Sequence, residues 1–283
     1  MSTDNAYFFI KDYNTVVYTH IVNCMLNPKD VAMITDAEYD GVTYFILRSK
    51  PQDSLYVSVK VNCWETIANW GIMDVLNSMF PGQICSQPIQ GYNVSILAEC
   101  KDSSQIESYA MKLARLRIVI LSCPFNYLFD SFCANSITTL PIYEFPINSP
   151  EIMYMYGSSK NIMITYSIHI NDSNNIGIAS IFLQEFSETQ RTAPSAPSCT
   201  FSKTVPEDLK SCTFSVQPNV GFITFCLNKE HMIPKNREKT IQGLISFRSY
   251  LSYHLTATKT YLHSVMRNRT DIWKKALSDA KIE

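Results

Sequence analysis

Two hydrophobic rhythms run along the chain. Tyr13, Val16, Val17, His20, Ile21, Cys24 and Met25 recur at i, i+3 and i+4, which is one face of a helix that must end before Pro28. Compact β-rich runs follow at Val31–Ile34, at Val42–Leu47 after an Asp40-Gly41 turn, and at Leu55–Val61, where Val57, Val59 and Val61 share a face. A short amphipathic helix is expected over Trp64–Met79 with Gly71 as its weak point, then strands at Gln83–Cys85 and Gly91–Leu97. Ser104-Gln-Ile-Glu107 has the form of a capping box and opens a helix carrying Ile106, Met111, Leu113, Leu116 and Ile120. Pro124 would cost that helix a hydrogen bond but can open a new one at its first turn, with Phe125, Leu128, Phe129 and Phe132 as the new apolar stripe.

The second half repeats this plan. Strands are expected at Thr139–Phe145, Ile152–Tyr156, Lys160–Ile170, Ile176–Phe186 and Asn219–Leu227; in the third, Ile162, Ile164, Tyr166, Ile168 and Ile170 alternate cleanly. Arg191–Ser198 is rich in Pro and Ser and should be an exposed irregular loop. Gly91–Leu97 and Gly221–Leu227 are similar β runs, each followed by a long helix. The expected fold class is therefore α+β: two tandem domains of like topology, residues 1–122 and 123–283, whose antiparallel sheets pack on helices.

From Asn236 to about Asn268 nothing interrupts a helical pattern, so the second domain should close on a helix of roughly 50 Å at 1.5 Å per residue. Its apolar positions, among them Ile241, Leu244, Ile245, Phe247, Tyr250, Leu251, Leu255, Tyr261, Leu262, Val265 and Met266, project over an arc of about 220°, whereas packing on one sheet needs little more than ~100°. Ser249–Thr258 contains no charged residue, so this stretch lacks the ion pairs of a solvated helix. Such a helix should dock on its own sheet and on a foreign helix as well; the alternative is a central core helix inside one large domain.

Composition agrees with a subunit of an assembly. Hydrophobic residues make up 46% and charged residues 17% of the 283 residues, the latter against about 25% in an average soluble domain. Aromatic residues reach 12%, and surfaces rich in rings and poor in charge suit permanent protein contacts. A formal charge of -1 argues against a nucleic-acid binder, yet residues 229–283 carry 11 Lys/Arg and 5 Asp/Glu. The bases cluster at the two ends of the long helix, Lys235, Arg237 and Lys239 before it and Arg267, Arg269, Lys274, Lys275 and Lys281 after it, so an acidic protein surface is the natural partner. The N-terminal residues lack a basic signal-peptide region, the most apolar stretch (Arg117–Phe129) is short of a membrane span, and nine scattered cysteines fit reduced thiols. The expected compartment is the cytoplasm.

Catalytic patterns are missing. The chain has no G-x-G-x-x-G, no P-loop, no H-E-x-x-H and no G-x-S-x-G. His254 and His263 are nine residues apart and lie on opposite sides of a helix. Asp36-Ala-Glu38-Tyr-Asp40-Gly41 imitates a calcium loop, but Leu47 stands where the bidentate Glu belongs. Neither enzyme activity nor a metal or other cofactor is expected.

Several segments, taken in order, resemble one family. Tyr39-Asp-Gly-Val-Thr-Tyr44, Gly91-Tyr-Asn-Val-Ser-Ile-Leu97, Phe182-Leu-Gln-Glu-Phe186, Val220-Gly-Phe-Ile-Thr-Phe225, Phe247-Arg248-Ser-Tyr-Leu251-Ser-Tyr-His254 and Lys259-Thr-Tyr-Leu-His263 are similar to the 34 kDa subunit (subunit 2) family of the actin-related protein 2/3 complex. The resemblance implies two α-β(5)-α domains and a non-catalytic, actin-binding scaffold in the actin cytoskeleton. It implies that the terminal helix lies antiparallel to the long helix of subunit 4, in a hetero-oligomer that includes the actin-related proteins, and that the pair grips the side of a mother actin filament during branched nucleation. Ile241, Leu244, Phe247, Leu251, His254, Leu255, Thr258, Leu262 and Val265 would then face subunit 4, and Arg191, Lys259, Arg267, Arg269, Lys274 and Lys275 would touch the filament. Gln190-Arg191 stands where the family usually has paired arginines, and Asn171-Asp-Ser-Asn-Asn175 replaces its acidic loop, which marks a divergent member. The alternative is a free-standing cytosolic adaptor that binds a different protein through the same helix.

Overall fold

The computed structural model describes residues 12–27, 33–39, 41–49, 54–99, 103–134, 139–158, 160–188, 195–214 and 216–279. Helix α1, Thr15–Leu26, starts where the Asn14 side chain accepts hydrogen bonds from the N–H groups of Val16 and Val17, two donors that no helical carbonyl could reach. Strands β1 (Met33–Tyr39), β2 (Val42–Ser49), β3 (Ser54–Val61) and β4 (Val94–Leu97) form an antiparallel sheet in the order β1-β2-β3-β4. One face presents Val42, Tyr44, Ile46, Val57, Val59, Val61, Val94 and Ile96, all buried, as the period-2 pattern requires. Helices α2 (Trp64–Ile67) and α3 (Ile72–Met79) replace the single helix the pattern predicts, because Gly71 takes a positive φ of 73° and breaks it. Gln83–Cys85 makes one isolated bridge, Ile84 to Ile96, and not a full strand.

Helix α4 (Ile106–Ala114) follows a single 3-10 turn over Ser103–Gln105, so its N-cap is Gln105 and not the Ser104 of the capping-box pattern. Helix α5 (Leu116–Cys133) runs straight through Pro124, at the place where the sequence pattern divides the chain. The proline removes one intrahelical hydrogen bond, a cost of about 3 kcal/mol in an exposed helix. Here Cys123, Pro124, Phe125, Leu128 and Phe129 are all buried, and their packing keeps the helix intact. Among the described residues α5 alone has the length and apolarity of a membrane span, yet it sits in the protein core, whose one large cluster of buried side chains includes residues of both sheets.

The second sheet is formed by β5 (Thr139–Asn148), β6 (Glu151–Ser158), β7 (Ile162–Ile168), β8 (Ser198–Ser202) and β9 (Gly221–Leu227), antiparallel in the order β5-β6-β7-β9-β8. Helix α6 occupies Ser173–Glu188, where the sequence pattern predicts a strand over Ile176–Phe186. Ile176, Ala179, Leu183 and Phe186 fall at helical spacing, and Ala179 and Leu183 are fully buried along that stripe. Strand β8 lies at the end of the Pro/Ser-rich segment expected to be irregular; residues 189–194 lie outside the described residues, as do the first eleven residues. Short helix α7 (Lys229–Met232) precedes α8, which spans Pro234–Asp279 as 46 continuous residues and so exceeds the length expected from the sequence.

The two halves are tied at α5. Tyr44, on the first sheet, is fully buried and donates its hydroxyl to the carbonyl of Ala114 at 3.1 Å while accepting the N–H of Arg117 at 2.9 Å. The buried Arg117 guanidinium in turn donates to the Ile245 carbonyl of α8 at 3.1 Å. Tyr44→Phe removes the donor to Ala114 and the acceptor for Arg117 with almost no change in shape. Equilibrium urea unfolding should show a loss of about 1–3 kcal/mol with the m-value unchanged.

Candidate functional site

Helix α8 has two unlike halves. In the first, Ile241, Leu244, Ile245, Phe247, Leu251 and Leu255 are buried by the chain itself. Phe247 packs among Tyr166, Phe186 and Phe225 with ring centroids 5.1–5.7 Å apart, and the Tyr166 hydroxyl donates to the Leu244 carbonyl at 2.7 Å. Arg248 donates to Glu151 at 2.7 Å, a pair in which the Glu151 side chain is only 8% exposed, and Glu151 also accepts the N–H of His169. His254 is half-buried and stacks on Phe182 of α6 at 5.6 Å.

Beyond Leu255 no described residue of the helix is buried. Thr256–Asp279 projects as roughly 36 Å of helix at 1.5 Å per residue. Tyr261, Met266, Ile272, Trp273 and Leu277 on this half are between 52% and 67% exposed, and Leu262 is 38% exposed. At 100° per residue, these side chains and Val265 fall within an arc of about 160°. The arc continues the face on which Leu244, Leu251 and Leu255 are buried. Thr256, Thr260 and Thr270 each donate their hydroxyl to the carbonyl four residues back, so those polar groups are satisfied within the helix.

Of the nine residues expected to face a partner subunit, Ile241, Leu244, Phe247, Leu251 and Leu255 are therefore already covered by this chain, and His254 by its stack with Phe182. Thr258, Leu262 and Val265 lie on the projecting half. The apolar surplus of this helix is one of length: its face is wide enough for the chain's own body, and it runs on after the body ends. Ile272, Trp273 and Leu277 escape the sequence pattern because that pattern ends the helix at about Asn268; the alternating spacing of three and four that links Leu255, Thr258, Leu262 and Val265 continues to Ile272 and would reveal that residue, with Trp273 and Leu277 beside it on the same face.

Among the residues expected to touch the filament, Arg267, Arg269, Lys274 and Lys275 are exposed on the projecting half, and Arg191 lies outside the described residues. Lys259 is paired with Asp172, at the start of α6, at 2.5 Å. Next to this pair is a polar cavity of about 260 Å³, lined by Glu151, His169, Asn175, Arg248 and Thr256 among others. Among the described residues, no group of three or more His, Cys, Asp or Glu could hold a metal ion. The eight described cysteines are free thiols; burial pushes Cys63 and Cys123 up to about 11 and Cys199 up to about 12, which holds them in the unreactive thiol form at neutral pH.

The fold and this helix define a class: an α+β chain with one long helix only half covered by its own body. The comparisons with known proteins make it specific. Residues 57–283 match the family model described as Arp2/3 complex, 34 kD subunit p34-Arc, and the chain belongs to that family. It is 28% identical over 278 residues to actin-related protein 2/3 complex subunit 2 of Dictyostelium discoideum, covering 97% of this chain and 93% of the relative. It is 25% identical over 297 residues to the protein of the same name from Schizosaccharomyces pombe, covering 95% and 93%. Members of this family are structural subunits of a complex and not enzymes.

The hydrogen bond from Lys259, and after it the one from the Asn174 N–H, holds the Asp172 carboxyl below its ordinary value of 3.8. This contact is fully present above that value and is lost as pH falls through the lower folded value. In a carbon-detected NMR titration, Asp172 should titrate below an ordinary aspartate, and Lys259→Ala should move it back up.

Proposed function

We propose that this chain is a non-catalytic scaffold subunit of an actin-related protein 2/3 complex in the cytoplasmic actin cytoskeleton, and that the projecting half of α8 is where it pairs with subunit 4. One observation carries the reading: the helix continues for roughly 36 Å beyond its last buried residue, Leu255, and its apolar face continues with it, with Arg269 as the one charge inside that face. An exposed apolar stripe of this length on a rigid helix suits a helix laid alongside it. The two names matched along nearly the whole chain supply the complex in which that helix would be found. The tandem-domain organisation implied by the resemblance is represented in this reading by the two sheets, with α5 shared at their junction.

The filament contact is assigned to the bases beside the apolar arc. Lys259, Arg267 and Lys274 project along one edge of it, and Lys275 lies toward the other. A partner helix on the arc leaves this basic edge free for an acidic surface such as the side of an actin filament, and that contact would weaken with salt.

Substitution at Leu255 would test the chain's own fold, since that side chain is buried. Leu262→Asp tests the pairing. Co-expressed with subunit 4, the variant should keep its circular dichroism spectrum and melting profile but no longer co-elute with its partner, because a carboxylate in the seam costs several kcal/mol. Normal co-elution would refute the pairing. Reversing Arg267, Lys274 and Lys275 to Glu should leave the complex assembled and reduce branch density at least severalfold in a microscopy assay with purified actin; unchanged density would place the filament surface elsewhere.

A further inference from the structure

The bases on the projecting helix are not equivalent. Arg269 stands at the middle of the apolar arc, four residues after Val265, seven after Leu262, three before Ile272 and four before Trp273. It is the only charge inside the arc; Lys259 and Asp279 lie at its two edges. In the three-four spacing Leu251, Leu255, Thr258, Leu262, Val265, Arg269, Ile272, Ala276, it takes a seam position of the kind that Leu262 and Leu255 hold one and two heptads earlier. Among the described residues Arg269 has no hydrogen-bond or ion-pair partner, in contrast to Arg237, which pairs with Asp130, and Arg248, which pairs with Glu151. Any helix that covers Leu262, Val265 and Ile272 must cover Arg269 as well.

We infer that Arg269 is a specificity-determining residue of the helix pair: the partner helix carries an Asp or Glu opposite it, and this buried pair fixes the register of the two helices. The inference rests on the pairing proposed above and assigns Arg269 to the seam and not to the filament. A guanidinium taken out of water is tolerated only with a carboxylate in good geometry, and removing either member strands the other. Sliding the helices by one heptad would take Arg269 away from that carboxylate and leave both charges unpaired, so the wrong registers are penalised. A single polar residue at a seam position commonly has this role in coiled coils.

The test uses the full chain co-expressed with subunit 4, with association measured by titration calorimetry or quantitative co-elution. Arg269→Glu should weaken association on the order of 10²-fold. Arg269→Leu should also weaken it, despite the gain in apolar surface, because the partner's carboxylate is left unpaired. Ser264→Glu, on the opposite face of the helix, should change it less than about threefold. A scan of acidic residues on the partner helix to Lys should contain one substitution that restores the association lost in Arg269→Glu. If Arg269→Leu binds as tightly as the parent, or Arg269→Glu behaves like Ser264→Glu, the seam assignment is overturned. Leu262→Asp separates the two levels: should it leave association intact, the pairing itself is wrong, whereas loss with Leu262→Asp and none with Arg269→Glu refutes only the role of Arg269.

Discussion

A helix can project from a protein as a rigid element only if its other end is held in place and kept from rotating. In α8 that is achieved through main-chain atoms. Tyr166 and Arg117 donate to the carbonyls of Leu244 and Ile245, two successive groups of the helix backbone, from two different neighbours, β7 and α5. Side-chain packing alone would let a long helix turn or slip by a rotamer change; hydrogen bonds to two adjacent carbonyls fix its phase. The largely buried ion pair of Arg248 with Glu151 adds a third point one turn further on, and Lys259 with Asp172 a fourth at the edge of the body. Because the projecting half is continuous with the anchored half, these contacts also determine the direction in which Leu262, Ile272 and Trp273 face.

This has an energetic consequence for binding. An isolated helix the length of Thr256–Asp279, with threonines at 256, 258, 260 and 270, would be marginal in water. As the extension of an anchored helix it has no nucleation cost, and its side chains are presented in one orientation before any partner arrives. Preorganisation of this kind lowers the entropy lost on association, which is where much interfacial energy is otherwise dissipated. The helix carries no Asp, Glu, Lys or Arg from Ser249 to Thr258, where it passes from the cover of its own body to the projecting half.

Much of this is legible in the residues, and the failures share a cause. Strands β2, β3, β6, β7 and β9 follow from alternation, and the long terminal helix from its unbroken period. Helix α6 reads as a strand because Ile176, Ile178, Ile181 and Phe182 have β propensity, while the stripe Ile176, Ala179, Leu183, Phe186 that buries it is a tertiary fact. Pro124 suggests a break between two helices for a local reason, the lost hydrogen bond, which packing around α5 overrides. The width of the apolar arc on α8 points toward a second surface, but a projection down the axis discards position along it. The chain's own body covers that face up to Leu255 and leaves it bare afterwards, which no helical wheel displays.

Viewed down its axis, one helix has room for two partners. On the projecting half, apolar side chains and most of the bases are segregated by phase: Tyr261 through Leu277 fill one arc with Arg269 alone among the charges inside it, while Lys259, His263, Lys274 and Arg267 follow one another along its edge. A helix seated on the arc would bury the first set and leave the second at the rim, where long cationic side chains keep their heads in water and contribute more to encounter and orientation than to affinity. The two contacts therefore need not compete. The acidic surface would meet a basic edge whose direction is already fixed by the anchored half of the helix, so the two contacts share one preorganised element.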